Sequence, residues 1–443
     1  LLVPFLFGEK PFIPSGPNSW PPSRRISRMS NAILVVGGGF AGLTAAIEAA
    51  ELGHEVYTVE KMPGLGGRVA QLNKYFPKLC PPSCGLEIQF QRIKNNPKIH
   101  CLTLSEVVGL SGKKGDYKVK IRINPRHTAP HNVDFSLLAS SLEGEAPSEF
   151  ELGLCKRKAL YKAMPFAYPA RWALDPSTLS VSDSARVAGD KFLDVVEKPR
   201  EIVLDAASII VATGWQPYDM ANLVNLGGGS IKNCISNMQM ERLASAFGPT
   251  GGKIRRPSDG KAPLKVAFVQ CAGSRDENHL SYCSYICCMA TFKQCLYIAE
   301  QAPQTMITVY YIDLRAPGRY IKVLEQVQAL PNVKFVKGKV AEALQAPGDK
   351  VTLVAENALT GQKSRIEYDL AVLATGMQPS LAAGNLPFPI NLDEDGFVED
   401  GSAKGIFTAG CAKMPLDVSR TAQSGTAAAL YATQIIKGAS NGK

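Results

Sequence analysis

The sequence predicts an α/β fold made of two Rossmann-like units, the second of which is inserted into the first. An apolar strand, a glycine-rich turn, a helix and a second strand follow one another within residues 32–60. A comparable run of strand, helix and strand spans residues 266–313. The phrases SIIVATGWQP at 208–217 and LAVLATGMQP at 370–379 repeat one another, which indicates two units that are each closed by an equivalent strand.

The elements are located from runs of apolar and small residues that glycine and proline interrupt. In chain order, we predict a strand at 32–36, a helix at 43–53, a strand at 55–60, strands at 99–110 and 117–123, a strand pair at 201–214, a strand at 266–270, a helix at 289–302, a strand at 306–313, and a strand at 405–410 before a long helix of small residues.

Changes in composition divide the chain into domains. Residues 1–28 are rich in proline and precede Met29, so we expect a disordered or upstream extension. Residues 124–200 lack clear periodicity, which predicts an insertion. We assign the rest to a first nucleotide-binding domain formed by 29–123, 201–247 and 379–443, and to a second nucleotide fold at 248–378.

Composition and charge exclude several classes of protein. No run approaches the roughly 18 apolar residues that span a bilayer, so we expect any membrane attachment to come through partners. The 49 basic and 39 acidic residues leave a surplus too thinly spread to indicate nucleic-acid binding. Eleven cysteines, an odd and unevenly placed set, favour metal or redox use in the cytoplasm over a secreted disulfide framework.

Three glycines between the first strand and the first helix form the pattern G-x-G-x-x-G. Gly37 permits the tight turn, Gly39 lets the main chain approach a pyrophosphate, and Gly42 lets the helix pack on the strand. The phosphate would lie at the positive N-terminus of the helix. Glu60 ends the next strand, where its carboxylate can accept hydrogen bonds from a ribose. Together these residues predict a dinucleotide cradle.

Later residues resemble those of flavoproteins with two dinucleotide-binding domains. Gly66-Gly67-Arg68 resembles the second contact loop of the FAD-binding members, and the ATG turns and the GIFTAG strand resemble later signatures. Relatives commonly end the last strand with Gly-Asp, whereas this chain has Gly410-Cys411, so the role of Cys411 stays open. The resemblance implies FAD as the cofactor of the first unit. The residues expected to bind it are Gly37, Gly39, Phe40, Ala41, Gly42, Glu60, Lys61, Gly66, Gly67, Arg68, Val108, Ala212, Thr213, Gly214, Gly410 and Cys411.

A cysteine-rich loop occupies the turn in which the second unit would carry another glycine motif. Cys271, Cys283, Cys287 and Cys288 have the spacing C-x11-C-x3-C-C. The loop is too long, and Gly273 too solitary, to hold a pyrophosphate, so we expect no NAD(P) there. On spacing alone, an iron–sulfur cluster, a zinc site, a redox disulfide and buried inert thiols remain open.

Two phrases resemble signatures of the A-type subunits of heterodisulfide reductase, which form one protein family. They are QCAGSRDENHLSYCSYICCMATFKQ around the cysteines and RKALYKAMPFAYPARWALD at 157–175, and the likeness extends from Ile33 to the C-terminus. In that family the cysteines of the loop hold a 4Fe–4S cluster. The resemblance therefore implies that Cys271, Cys283, Cys287 and Cys288 are ligands of one such cluster.

The chain lacks a C-x2-C-x2-C-x3-C run, and so it most resembles the compact family members of quinone-interacting membrane-bound oxidoreductases. This implies an FAD-dependent oxidoreductase subunit, inactive alone, that relays electrons between menaquinone and adenylylsulfate reductase in dissimilatory sulfate reduction. The implied partners are a second subunit with flavin and iron–sulfur groups and a membrane subunit with haem. Peripheral attachment to the inner membrane, and dimerisation as in many relatives, are implied too. The alternatives are a heterodisulfide-reductase-type flavoprotein of another complex and a stand-alone NAD(P)H-dependent disulfide reductase.

Cys80 and Cys84 follow the second contact loop in the sequence C-P-P-S-C. A redox pair beside the flavin, ligation of a further cluster and plain structural thiols are the three interpretations. The residues do not decide among them.

Overall fold

The computed structural model describes residues 32–130, 133–401 and 403–440, so the predicted extension at 1–28 lies outside the described residues. The helices are α1 (Phe40–Glu51), α2 (Pro82–Asn95), α3 (Ser136–Ser141), α4 (Val181–Ala188), α5 (Asn237–Ala244), α6 (Cys287–Gln301), α7 (Ile321–Gln328) and α8 (Val418–Ser440). The strands are β1 (Ala32–Val36), β2 (Glu55–Val59), β3 (Ile99–Leu102), β4 (Ser105–Lys113), β5 (Asp116–Ile123), β6 (Glu145–Pro147), β7 (Lys156–Lys158), β8 (Leu160–Lys162), β9 (Trp172–Leu174), β10 (Arg200–Ala206), β11 (Ser208–Val211), β12 (Trp215–Pro217), β13 (Cys234–Ser236), β14 (Lys265–Ala272), β15 (Met306–Tyr311), β16 (Val333–Lys337), β17 (Val340–Ala346), β18 (Lys350–Glu356), β19 (Lys363–Tyr368), β20 (Leu370–Thr375), β21 (Met377–Pro379) and β22 (Ile406–Thr408). In these ranges, no helix combines the length and the apolar composition that crossing a membrane requires.

The first sheet is parallel, with the strand order β22-β11-β1-β2-β3. Ile33 and Val35 of β1 face the core beneath α1, α2 and α8, whereas Leu34 and Val36 face the antiparallel sheet β10-β5-β4. Because both faces of β1 are covered, the strand is apolar along its whole length. The predicted strand at 32–36 is confirmed.

Helix α8 packs closely on helix α1 because a small residue lies at the contact. A Cβ atom on Gly425 would lie 2.5 Å from the carbonyl oxygen of Ala41, closer than real side chains come. The predicted long helix of small residues is confirmed and begins at Val418. Its first half therefore lies against the N-terminal turn of α1.

The second sheet repeats this plan with the parallel order β13-β20-β14-β15-β16. Phe292 and Cys295 of α6 pack with Phe268 of β14 on one face. The antiparallel sheet β17-β18-β19 covers the other face. The predicted strand, helix and strand within 266–313 are confirmed, and with them the fold of two Rossmann-like units.

The chain passes between the two units through the antiparallel pair of β12 and β21, in which Trp215 lies opposite Pro379. The structure differs from the predicted division at 248, because β13 already pairs with β20 of the second sheet. The loop at 248–263 has the composition of a linker but lies within the second unit. We therefore propose that the units divide at β12 and β21.

Two predicted element boundaries are wrong. The strand predicted at 99–110 is two strands, β3 and β4, which belong to different sheets. The chain turns at Leu104, whose φ of +54° lies in the left-handed region, and no glycine or proline announces this turn. Helix α1 begins at Phe40 and not at 43, because the glycine motif forms its first turn.

The described residues of the segment 124–200 form small elements around a core of their own. The short pairs β6-β7 and β8-β9 lie with α3 and α4 in this segment. Its core contains the buried side chains of Phe135, Leu142, Leu160, Leu174 and Val187.

Candidate functional site

The turn between β1 and α1 is shaped by glycines. Gly37 has φ of +112°, and a Cβ atom there would lie 2.2 Å from the carbonyl oxygen of Ala212. A Cβ atom on Gly42 would lie 1.9 Å from the carbonyl oxygen of Gly37. A Cβ atom on Gly39 would meet nothing nearer than the Cα of Gly67, at 3.8 Å. The fold itself therefore requires Gly37 and Gly42, whereas Gly39 leaves open space in front of the helix.

Helix α1 presents an uncapped N-terminus to that space. Gly39 is the N-cap residue, no side chain caps the helix, and its first turn contains no acidic residue. Free backbone N–H groups and the helix dipole both favour an anion at this end. The arrangement fits the pyrophosphate of a dinucleotide.

The carboxylate of Glu60 is buried beside the same turn. Its Oε2 accepts a hydrogen bond of 2.7 Å from the N–H of Gly38, and its Oε1 accepts one of 2.8 Å from the N–H of Met62. Burial raises the pKa of Glu60, and these N–H groups oppose the rise. The two hydrogen bonds fix in place the acid that the sequence assigns to a ribose.

The second contact loop lies directly against the glycine turn. The N–H of Gly66 donates to the carbonyl oxygen of Gly38 at 2.8 Å. Gly67 has φ of +55°, and a Cβ atom there would lie 2.8 Å from the Cα of Gly39. The Nε of Arg68 donates to the main chain of β12 at 3.3 Å. The loop thus joins the glycine turn to the crossing between the units.

Two later turns complete the cradle. Among the described residues, the buried Oγ1 of Thr213 has no hydrogen-bond partner, a costly state that a hydrogen bond to a bound ligand would relieve. Gly214 follows it with φ of +70° and open space beside its Cα. Gly410 has φ of +66°, and a Cβ atom there would lie 2.7 Å from the Cβ of Ala41. The contacts among these turns form one cradle, and its residues fit FAD.

The remaining predicted residues surround these turns. Phe40 opens α1, and its ring centroid lies 6.3 Å from that of Tyr75. Lys61 is exposed, and Val108 lies at a β-bulge of β4. Cys411 is buried, and its Sγ lies 3.6 Å from the carbonyl oxygen of Leu416. Burial raises the pKa of the Cys411 thiol.

Residues 157–175 pack against the residues that lead into the second contact loop. The sequence alone did not predict this contact. The N–H of Leu65 donates to the carbonyl oxygen of Tyr168 at 2.9 Å. A Cβ atom on Gly64 would lie 2.9 Å from the Cβ of Ala163. The resemblance of this stretch to the family could be seen in the sequence. Its residues form no chemical motif, so the sequence could not show where in the fold the stretch lies.

The cysteine-rich loop is an irregular replacement for a glycine turn. Cys271 lies in β14, and Cys287 and Cys288 form the first turn of α6. Cys271, Arg275 and Tyr285 have φ of +54°, +57° and +65°. Residues with side chains adopt such values at a cost, and three of them in one loop mark it as a strained segment.

The four predicted ligand thiols lie within electrostatic range of one another. Cys287 and Cys288 are buried, and Cys271 and Cys283 are half-buried. Burial raises the pKa of Cys287 well above its ordinary range, and Cys271, Cys288 and Cys283 raise it further. Burial also raises the pKa of Cys288 to about 11, with smaller contributions from Cys271 and Cys283.

In the part of the chain that the structure describes, no three or more His, Cys, Asp or Glu side chains are arranged to hold one metal ion. A 4Fe–4S cluster makes a different demand, because each thiolate binds a separate iron and the four sulfurs surround a volume. The donor set of four neighbouring thiols fits such a cluster in its chemistry.

The cysteine-rich loop also packs on the C-terminal segment of the first unit. The Oγ of Ser281 donates to Oδ1 of Asp395 at 2.8 Å. The guanidinium of Arg420, in α8, lies 5.0 Å from the ring centroid of Tyr285. The loop therefore contacts the part of the chain that carries Gly410 of the cradle.

Cys80 and Cys84 lie at and near the start of α2, beside Tyr75. The N–H of Tyr75 donates to the carbonyl oxygen of Cys80 at 3.0 Å. Burial raises the pKa of Tyr75, and the Cys84 and Cys80 thiols raise it further. Both thiols are free in the structure, and their role stays a prediction.

Comparison with known sequences relates the chain to flavoproteins. The family of FAD-dependent oxidoreductases matches residues 32–76, which contain the glycine turn and the second contact loop. The second A-type iron–sulfur subunit of the CoB–CoM heterodisulfide reductase of Methanopyrus kandleri is 36% identical over 427 residues, which cover 93% of this chain and 65% of that protein. The corresponding A-type protein of Methanocaldococcus jannaschii is 34% identical over 426 residues, which cover 92% of this chain and 64% of that protein. The chain thus spans somewhat less than two thirds of the length of these relatives.

Comparison with solved structures supports the fold. A thioredoxin reductase of T. acidophilum has a TM-score of 0.51 at 15% identity, over 91% of this chain and 99% of that chain. The bacillithiol disulfide reductase of Bacillus cereus has a TM-score of 0.51 at 14% identity, over 92% of this chain and 98% of that chain. At such identities the likeness concerns the fold alone.

Proposed function

The chain belongs to the family of A-type heterodisulfide reductase subunits, and on this premise we propose that it is an FAD-containing electron-transfer component of a multi-subunit oxidoreductase. We propose further that Cys271, Cys283, Cys287 and Cys288 hold one 4Fe–4S cluster. The cradle built from the glycine turns would hold FAD.

The observation that carries the proposal is the position of the cysteine-rich loop. It occupies the place of the second glycine turn, and it contacts the segment that carries Gly410. The loop that carries the four thiols therefore contacts, through Ser281 and Tyr285, the C-terminal segment of the first unit. When bound, FAD exchanges electrons in pairs and a 4Fe–4S cluster exchanges them singly, so a chain with both can join a two-electron donor to a one-electron acceptor.

The chain's own residues would position these groups and leave exchange to protein partners. The α1 N-terminus and Glu60 would bind the dinucleotide. The loop that replaces the second glycine turn offers no expected site for NAD(P)H. The subunit would thus have little activity alone, and electrons would enter and leave through protein contacts.

In its finer form, the proposal places the protein between the menaquinone pool and adenylylsulfate reductase in dissimilatory sulfate reduction. What supports this is the resemblance to the family members of quinone-interacting membrane-bound oxidoreductases, which rests on the lack of a C-x2-C-x2-C-x3-C run between residues 32 and 440. Its partners would then be a second subunit with flavin and iron–sulfur groups and a membrane subunit with haem, which would attach it peripherally to the inner membrane.

A stand-alone NAD(P)H-dependent disulfide reductase is the second candidate, and Cys80 and Cys84 favour it. Their thiols lie near Tyr75, whose ring is close to that of Phe40 at the cradle. Such an enzyme would reduce its flavin rapidly with NADPH as a single purified chain. The electron-transfer subunit would not.

Cysteine replacement tests the ligand assignment. Each of Cys271→Ser, Cys283→Ser, Cys287→Ser and Cys288→Ser should lower the iron content of protein purified without oxygen, while FAD stays near the parental amount. Cys295→Ser is the matched control, because Cys295 is a fully buried thiol of the same helix and is not one of the four predicted ligands. Parental iron in all four variants would overturn the assignment.

A further inference from the structure

A buried ion pair lies in the second unit, where it contacts residues 73 and 74 of the first. Glu241 of α5 is 1% exposed and Lys293 of α6 is 4% exposed. The Nζ of Lys293 donates to Oε2 of Glu241 at 3.0 Å. Removing one partner of such a pair leaves an uncompensated charge in a medium of low dielectric constant, which is strongly unfavourable.

The same pair holds the segment that leaves the second contact loop. The N–H of Asn73 donates to Oε2 of Glu241 at 2.9 Å. The Nζ of Lys293 also donates to the carbonyl oxygen of Lys74 at 2.5 Å. Residues 72–74 directly follow the helical turn that contains Arg68, so the pair binds the exit of the flavin-contacting loop.

The other side of the pair is connected to the cysteines. Gln294 donates through Nε2 to Oε1 of Glu241 at 2.6 Å and to the carbonyl oxygen of Asn237 at 2.9 Å. The Oδ1 of Asn237 accepts from Oγ1 of Thr375 at 3.3 Å. The carbonyl oxygen of Thr375 lies 3.9 Å from Sγ of Cys287. Polar contacts thus run from the buried carboxylate to the first turn of α6.

The helix itself forms a second, shorter connection. Lys293 follows Cys288 by five residues, which corresponds to about 7.5 Å of helix rise. A side chain fixed at Lys293 therefore fixes the position of the cysteines along the axis of α6. The buried pair thus holds one segment from each candidate site.

We propose that Glu241 and Lys293 are positioning residues for electron transfer. Their ion pair clamps residues 72–74 onto α6 and so sets the position of the flavin-binding cradle relative to Cys287 and Cys288. The electron-transfer part of this inference rests on the proposed function. The clamp itself rests only on the contacts described above.

Hydrogen exchange tests the clamp in the flavin-loaded chain. In Glu241→Ala, the amide of Asn73 loses its acceptor, and the amides of residues 72–74 should exchange about tenfold faster or more, because local opening becomes easier. Glu241→Gln retains one acceptor oxygen and should exchange at an intermediate rate. Glu300→Gln is the matched control. Glu300 lies on the same helix as Lys293, and its Oε2 forms an exposed ion pair with Nζ of Lys74 at 3.4 Å, which the substitution removes. Exchange at the parental rate in Glu241→Ala would overturn the clamp.

Flash reduction of the flavin without oxygen tests the consequence for electron transfer. Absorbance should show electrons reaching the cluster at least about tenfold more slowly in Glu241→Ala than in the parent, with partial rescue in Glu241→Gln. Lys293→Met should slow electron transfer as Glu241→Ala does. It replaces Glu241→Ala in this test if Glu241→Ala does not fold. A purely structural pair would change stability and leave the transfer rate parental, and that result would overturn the positioning role. A parent without iron would refute the proposed function, while hydrogen exchange would still decide on the clamp.

Discussion

Replacing Gly39 by alanine separates binding from folding in the glycine turn. Gly39 has φ of −79° and ψ of −177°, which alanine adopts without strain. A Cβ atom there meets nothing nearer than 3.8 Å. The flavin-free chain should therefore lose at most about 1 kcal/mol in the free energy of unfolding, the cost of alanine at an N-cap position.

The same methyl group would occupy the space in which the main chain approaches a pyrophosphate. Loss of one hydrogen bond to a charged phosphate costs about 1.5–3 kcal/mol. FAD affinity should thus fall by about 10- to 150-fold. Quenching of FAD fluorescence during titration of the flavin-free chain measures this affinity, and urea unfolding measures the stability.

Two further variants bracket the result. Gly42→Ala should fail to fold normally, because its Cβ atom would lie 1.9 Å from a carbonyl oxygen. Gly189→Ala, at an exposed helix end with φ of −84°, should leave FAD binding unchanged. If Gly39→Ala bound FAD as tightly as the parent, the assignment of the pyrophosphate to this turn would be refuted.

Two other expectations concern stability. Burial raises the folded pKa of Glu60 above its unfolded value, so its protonated form stabilises the flavin-free fold at low pH, and this contribution is lost as pH rises through the folded pKa. As pH falls toward the ordinary pKa of a glutamate, the parent should therefore gain unfolding free energy relative to Glu60→Gln, by at most about 1.4 kcal/mol per pH unit. A loss of unfolding free energy over the same change in pH would contradict this. Arg242→Met breaks a pair with Glu151 in which Arg242 is 1% exposed, and it should cost about 3–5 kcal/mol in urea unfolding. Arg92→Met breaks an exposed pair with Glu51 and should cost at most about 1 kcal/mol, so equal costs would refute the argument from burial.

The parts of the first site that could be predicted from sequence are those in which the main chain dictates the residue. Gly37 and Gly42 have no alternative once strand and helix meet at this angle, since their Cβ atoms would overlap carbonyl oxygens. The apolar strand β1 is legible for a similar reason, because both of its faces are buried. Constraints that act between residues close together in the chain produce a pattern that can be recognised in the sequence.

Long-range contacts leave no such pattern. Glu241 and Lys293 are 52 positions apart, and each resembles an ordinary solvated charge on a helix until the fold buries them together. The turn at Leu104 is equally hidden, because its left-handed φ occurs without glycine. The proposed division of the units at β12 and β21 depends on which sheet β13 joins, which is a property of the whole topology.

Flavin and iron measured on one oxygen-free preparation of the parent chain test the central claim most directly. A chain that relays electrons between a dinucleotide cradle and a four-thiol site should contain about one FAD and about four iron atoms. Its flavin should stay oxidised when NADPH is added. FAD without iron, or rapid bleaching by NADPH, would contradict the account.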